Sequence, residues 1–539
     1  MKICGNIIDI YERKIYKGCI EIDKDIISDL YGEDNEEERY IVAGLIDSHI
    51  HIESSMLVPS RFAEAAVKHG TVAVVSDPHE IANVMGKEGV EFMIKNGKEV
   101  PLKFYFGAPS CVPATSFEES GGTIGIKEIR ELMLREEVKY LSEMMNFPGV
   151  INHQKEVMEK LEIAKKVNKP VDGHAPGLIG EKLKRYIEAG ISTDHESISL
   201  DEAREKIERG MKIQIREGSA ARSLHKMHYL LAEKPDRLMI CSDDLHPEML
   251  EKGHINLLVK RLLGYGYDIF DILKIVITNP VEHYGLDTGM LRKGDKADFI
   301  IIDNPDEFNV LETWINGKKV YDGKNILFES PVVSPLNNFN STPVKPGDIN
   351  LSQKAGKVRV IDAVDGELVT GVYEWEIKER KGSLRPDTDK DILKIVVKDR
   401  YKDSKPSVAF VKGFGLKKGA FASSIAHDSH NIIAVGADDR SICRAINRVI
   451  EMTGGLVVCD QDKCSDIPLE IGGIMADVPC GTMAEKYDKL TNIVQHMGCQ
   501  LKSPFMTLSF MALLVIPELK LGDRGLFDVN KFEFVDLYI

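Results

Sequence analysis

The sequence predicts an α/β fold: a closed (β/α)8 TIM-like barrel with a small flanking β domain and a C-terminal α+β domain. Three observations predict it. Short apolar runs recur eight times between residues 42 and 245, helix-like segments lie between them, and nearly every run finishes in His, Asp, Glu or Ser. Strands that alternate with helices build parallel βα units, and eight such units close into a barrel that carries its chemistry at the C-terminal strand ends. An open doubly wound sheet is the competing arrangement.

The runs are "VAGLIDSHIHI" (42–52), "TVAVVSDPHE" (71–80), "LKFYFGAPSC" (102–111), "VKYLSEMM" (138–145), "PVDGHAPG" (170–177), "GISTDHES" (190–197), "KIQIREGS" (212–219) and "LMICSDDL" (238–245). Between them, "SRFAEAAVKHG" (60–70) is amphipathic, opening at Ser60 and stopping at Gly70. "NHQKEVMEKLEIAKKVNKP" (152–170) has helical spacing up to Pro170. "SLDEAREKIERG" (199–210) pairs a Ser and an acidic first turn with a terminal Gly210. The first 43 residues and "LDTGMLRKGDKADFIIIDNPDEFNVLETWINGKKVYDG" (286–323) share a texture of short β-like runs and tight Gly/Asp turns. Both segments are expected in one small β domain, 1–43 plus 285–335, beside a catalytic barrel at 44–284. A loose Pro/Asn/Ser-containing link (330–348) leads into a separate α+β domain, 336–539. No internal repeat or low-complexity tract interrupts this plan.

At roughly 150 residues per domain, 539 residues suit several domains or one large domain with additions. A 43% hydrophobic content supports substantial cores and argues against disorder. The net charge of −15 makes nucleic-acid backbones and anionic membranes poor partners. The start, "MKICGNIIDIYERK", lacks an apolar leader, and the longest apolar stretch, "FMALLVI" (510–516), is too short to span a bilayer. Nine scattered cysteines read as reduced thiols, and Cys459 and Cys464 fit no zinc-knuckle spacing. A cytoplasmic protein is expected.

The first run ends in "SHIHIE". Residues i and i+2 of a strand share a face, so His49 and His51 aim both imidazoles into the barrel mouth, where they can hold a divalent metal. Glu143 lies in the fourth run, His174 and His195 end the fifth and sixth, and Asp243 ends the eighth. Taken singly, each has an ordinary alternative as a cap or polar strand end. Together, four imidazoles and two carboxylates oversupply one ion and suit two, with a carboxylate between them. Glu53 faces the same side and reads as a support for the two histidines. Arg222, His225 and Lys226 read as a solvated basic face.

These residues resemble the amidohydrolase superfamily. Within it "SHIHIESSML", "SDPHEIANV", "EMMNFPGV", "DGHAPGL", "STDHES", "REGSA" and "CSDD" resemble the adenine deaminase family, as do "GMLRKGDKADF" (289–299) and "SSIAHDSHNIIAVG" (423–436). The resemblance implies two divalent ions, manganese or iron. His49, His51 and Asp243 would hold one and His174 and His195 the other. Glu143 would bridge them where many superfamily members use a carbamylated lysine; Lys139 lies too early in the run. It also implies hydrolytic deamination of adenine to hypoxanthine and ammonia by a metal-activated hydroxide, in purine salvage. Asp243 would move the proton, and Glu217 would hydrogen-bond or protonate a ring nitrogen. Asp77, His79 and Ser219 would contact substrate, and His427 and Asp428 would belong to a loop closing over it. The expected partner is a small purine base, handled by a homodimer. Two rivals remain: a cyclic-amide hydrolase of the dihydroorotase or hydantoinase kind, and a metal-binding protein without turnover. A zinc deaminase with H-x-E and C-x-x-C is ruled out, because the chain has no C-x-x-C.

Overall fold

Each of the eight apolar runs contributes one parallel strand in the computed structural model, which describes residues 1–378, 382–461 and 463–539. The strands are β1 (Leu45–His51), β2 (Thr71–Ser76), β3 (Lys103–Ala108), β4 (Val138–Met144), β5 (Val171–Gly173), β6 (Thr193–Asp194), β7 (Lys212–Arg216) and β8 (Leu238–Cys241). β1 to β5 pair in sequence, as do β6 to β8. A bridge from Val171 to Ile191 joins the two groups, and Asp243–Asp244 pairs with Ile50 and His51 to close the ring. The open-sheet alternative is thereby excluded. β5 and β6 approach so closely that a Cβ on Gly173 would stand 2.3 Å from the Thr193 carbonyl, so glycine is required there.

Helices Pro59–Lys68, Lys155–Lys166 and Leu200–Glu208 fill three of the expected crossovers. The Ser199 side chain accepts from the Glu202 amide, and Gly210 at φ 102° follows the last turn. Ile213, Ile215, Leu238 and Ile240 pack outward against the helices, so the alternate residues of β7 and β8 face the barrel interior.

Strands Lys2–Asp9, Lys14–Asp23, Ile26–Gly32 and Tyr40–Ala43 share one seven-stranded sheet with Phe299–Ile302, Val310–Ile315 and Lys318–Tyr321. The chain thus leaves the barrel and returns to the sheet it started from. The 330–348 link has no regular element, yet it is docked: the Asn338 amide donates to the carbonyls of Val84 and Gly121 at 3.1 and 3.2 Å. Beyond it, an eight-stranded, mostly antiparallel sheet carries helices Asp439–Glu451 and Cys480–His496. One face of it, with Ile395, Val397, Ile433 and Val435, runs on into the barrel core, while the opposite face packs Val396, Ala422 and Ala434 in a cluster of its own.

The thiol reading is corrected for four cysteines. Cys4 and Cys19 are disulfide-bonded, as are Cys459 and Cys464. Each pair stands directly opposed in an antiparallel ladder, with Cα atoms 4.1 and 4.2 Å apart, a register that sequence spacing alone does not reveal. The remaining five cysteines are free and buried. Among the described residues no helix is long and apolar enough to cross a membrane.

Candidate metal centre and active site

Glu143, at the end of β4, is the hub. Its Oε1 lies 3.3 Å from both His51 Nε2 and His79 Nδ1. Its Oε2 lies 2.6 Å from His174 Nδ1 and 3.2 Å from His195 Nε2. One carboxylate therefore offers a separate oxygen to each of two imidazole pairs, the disposition a bridging ligand needs. His49 and His51 bring their Nε2 atoms within 3.2 Å of each other, and the His49 ring stacks on His195 with centroids 4.2 Å apart. Asp243 closes the group, with Oδ1 3.4 Å from His51 Nε2 and Oδ2 3.7 Å from His195 Nε2. Its backbone sits at φ 56°, in the left-handed region that Asp tolerates better than most side chains.

The donor set fits divalent cations. His49, His195 and Asp243 place ligand atoms within 4.8 Å of one another, as do Glu143, His174 and His195, and also His51, Asp77, His79 and Glu143. His49 Nδ1, His174 Nε2 and His195 Nδ1 are buried without a hydrogen-bond partner. Buried carboxylates are costly unless paired with positive charge, which two cations would supply. Burial pushes the Glu143 carboxyl up, but His174 and His195 outweigh it and hold the group well below its usual range. Burial likewise raises Asp243, opposed by Arg216, to about 6.

The expected residues divide into those the structure gathers and those it sends elsewhere. His49, His51, Glu143, His174, His195 and Asp243 meet. Asp77 and His79 join them, with His79 Nδ1 3.2 Å from Asp77 Oδ2. Glu217 does not. Its side chain pairs with Arg261 and accepts from the Leu224 amide at 3.1 Å, in a separate surface cleft beside Met249 and Leu257. The reason is strand parity: Gln214 and Arg216 face the interior, so Glu217 points out. The Glu217 carboxylate thus lies outside the cavity that holds the cluster, away from the ring-nitrogen position expected of it. Ser219, expected to contact substrate, does not line the cluster cavity. Its hydroxyl accepts from the His246 amide at 2.9 Å and its own amide donates to the Asp244 carbonyl at 2.8 Å, bracing the turn that carries Asp243.

Arg216 occupies the place expected of Glu217. Its guanidinium lies 2.9 Å from Asp243 Oδ2 and 3.0 Å from Asp244 Oδ2, and it pairs with Glu196. The alternation of "KIQIR" carries the signal, since it puts residue 216 and not 217 on the inward face. Glu196, Asp244 and Glu80 were also missed. Glu80 follows His79 and receives two imidazoles from the C-terminal domain: His427 Nδ1 lies 2.5 Å from Oε1, and His430 pairs with Oε2. No local pattern announces a partner about 350 residues away.

That domain covers the barrel mouth. His427, Asp428, Leu368, Phe510, Leu513, Val515 and Ile516 line one cavity with the barrel cluster. The 426–431 turn is held from behind by buried Arg400, which donates to the His430 and Gly472 carbonyls at 3.1 and 2.6 Å. Asp428 Oδ2 is buried without a hydrogen-bond partner.

A closed parallel barrel whose strand ends gather imidazoles around a central carboxylate defines a hydrolase of the amidohydrolase class, whose members use divalent metals. The amidohydrolase family model matches residues 40–320, and the adenine deaminase C-terminal domain model matches 367–533. The adenine deaminase of Methanosarcina mazei is 51% identical, covering 100% of this chain and 99% of its own length. Those of Salinibacter ruber (100% and 99% covered) and Borreliella burgdorferi (99% and 99%) are 49% and 45% identical. The chain belongs to the adenine deaminase family.

Proposed function

We propose that this protein hydrolyses adenine to hypoxanthine and ammonia, in purine salvage, with two manganese or iron(II) ions held by His49, His51, Glu143, His174, His195 and Asp243. The observation that carries the reading is Glu143 shared among four imidazoles inside a chain related over its full length to adenine deaminases. The ions would supply a water acidic enough to deprotonate near neutral pH, where bound water has a pKa of about 7. Asp243 takes the proton from the water that attacks C6 and returns it to the departing amine, so the C6–N bond breaks and ammonia leaves. Arg216 fixes the Asp243 carboxylate from the side away from His51. Asp428, with a free acceptor, holds an N–H of the amine, and Asp77 holds His79 toward the cluster.

The division into a barrel at 44–284, a β domain of 1–43 with 285–335 and a C-terminal domain at 336–539 belongs to the same proposal, as does a cytoplasmic homodimer that takes a small base and neither nucleic acid nor membrane. The acidic charge supports the last point. The cyclic-amide hydrolase reading is disfavoured because, among the described residues, no lysine lines the cavity, and Lys139 stands over the Tyr105 ring instead. A turnover-free metal protein is disfavoured by Arg216, which ligates no ion yet pairs with Asp243, and by the full-length relation to adenine deaminases. Metal analysis of anaerobically purified protein, paired with ammonia release from adenine, tests the reading. Ring opening of a dihydropyrimidine without release of ammonia from adenine would overturn it.

A further inference from the structure

The barrel side of the cavity is polar throughout except Met145, and the C-terminal side is apolar apart from His427 and Asp428. Adenine has a matching asymmetry. C6, its amine and N7 lie along one edge, and N9, where a nucleoside carries ribose, lies across the bicycle. If C6 sits over the cluster with the amine at Asp428, the lining left for the N9 edge is the apolar set Phe510, Leu513, Val515 and Ile516.

We propose that this apolar wall, completed by Leu368, is the specificity determinant that confines turnover to purines unsubstituted at N9. The assignment rests on the adenine reading above and extends it to the residues that exclude nucleosides. Ribose would bring three hydroxyls against side chains that offer no donor or acceptor, and any substituent at N9, polar or not, would need room that this wall fills. Nor can the wall readily step back. The Lys520 amine is fully buried and donates to the carbonyls of Leu368 at 2.6 Å and Phe510 at 3.0 Å, tying together two of the lining residues. The Thr370 amide donates to the Pro517 carbonyl at 3.0 Å and the Glu518 amide to the Thr370 carbonyl at 3.1 Å, so both ends of the wall are pinned to one strand entry. Val515 alone of the four is only partly buried, which makes it the place where a substituent at N9 would have to leave.

The test compares kcat/KM for adenine, 9-methyladenine and adenosine in the manganese-loaded full chain. Wild type should prefer adenine over 9-methyladenine by about 10²-fold and over adenosine by more, and Val515→Ala, Leu513→Ala and Phe510→Ala should each cut the preference over 9-methyladenine by about tenfold. Because Val515 reaches solvent, its truncation keeps the core intact if Phe510→Ala fails to fold; circular dichroism and metal content verify each variant. Wild-type turnover of 9-methyladenine within about tenfold of adenine would overturn the proposal, and so would folded, metal-loaded variants with an unchanged preference. No adenine turnover in wild type would strike the deaminase reading itself, and the wall with it.

Discussion

Arg216 and Glu217 are neighbours in sequence and opposites in space, so substituting each separates a site residue from a bystander. Arg216→Met would leave Asp243, Asp244 and Glu196 as buried carboxylates without their shared cation, and adenine kcat/KM should fall by roughly 10²–10³-fold. Arg216→Lys should restore little, because an ammonium cannot present a planar fork to several carboxylates. Glu217→Gln should leave kcat/KM within about threefold and cost about 1 kcal/mol of stability, since Arg261 is 40% exposed and its pair with Glu217 is screened. A hundredfold loss in Glu217→Gln would return that residue to the mechanism. Lys520 makes a different prediction. Burial pushes its amine down from 10.5 to about 7. Between those values the unfolded chain carries a proton that the folded chain lacks, so the group adds stability as pH rises across the window, by at most about 1.4 kcal/mol per unit. Below pH 7 both states are protonated and the contribution is least favourable. Denaturant titrations at pH 7 and 9 should show a flatter pH dependence in Lys520→Met than in wild type.

At the scale of elements, the turn 426–431 works only because a barrel helix holds it. Glu80 opens that helix, His79–Met85, and binds two imidazoles of the turn, while Arg400 holds its carbonyls. Glu80→Ala should raise amide hydrogen exchange in 426–431 while β1 to β4 stay protected, and should lower adenine kcat/KM about tenfold or more as Asp428 loses its place. Unchanged exchange there would show that Arg400 suffices alone. The strands themselves were legible because apolar runs with polar ends have one economical solution, and the cap at Ser199 was legible because it is local. Parity at the end of β7 was harder. Where a strand stops decides which of two adjacent residues faces in, and boundary positions carry the weakest local signal.

For the whole molecule, the cations are a structural matter as well as a chemical one. Glu143 and Asp243 are buried among imidazoles, so ions bound only by the folded state should stabilise it. Manganese added to chelator-treated protein at a hundred times its dissociation constant should contribute about 2.7 kcal/mol, read as a rise in Tm. No shift would argue that the imidazoles and carboxylates satisfy one another without metal. The continuous core between barrel and C-terminal domain also predicts that Tm moves as one transition.

By itself the sequence determined the eight strands, the face of β1 that carries His49 and His51, and the set of histidines and carboxylates at strand ends, because period and capping act over a few residues. Only the tertiary structure decided that Arg216 and not Glu217 points inward, that Glu80 meets His427 and His430, that Cys4 faces Cys19, and that an apolar segment near residue 513 roofs the cluster. Those contacts depend on how sheets close and domains dock, which is settled by burial over the whole chain and leaves no periodic trace along it.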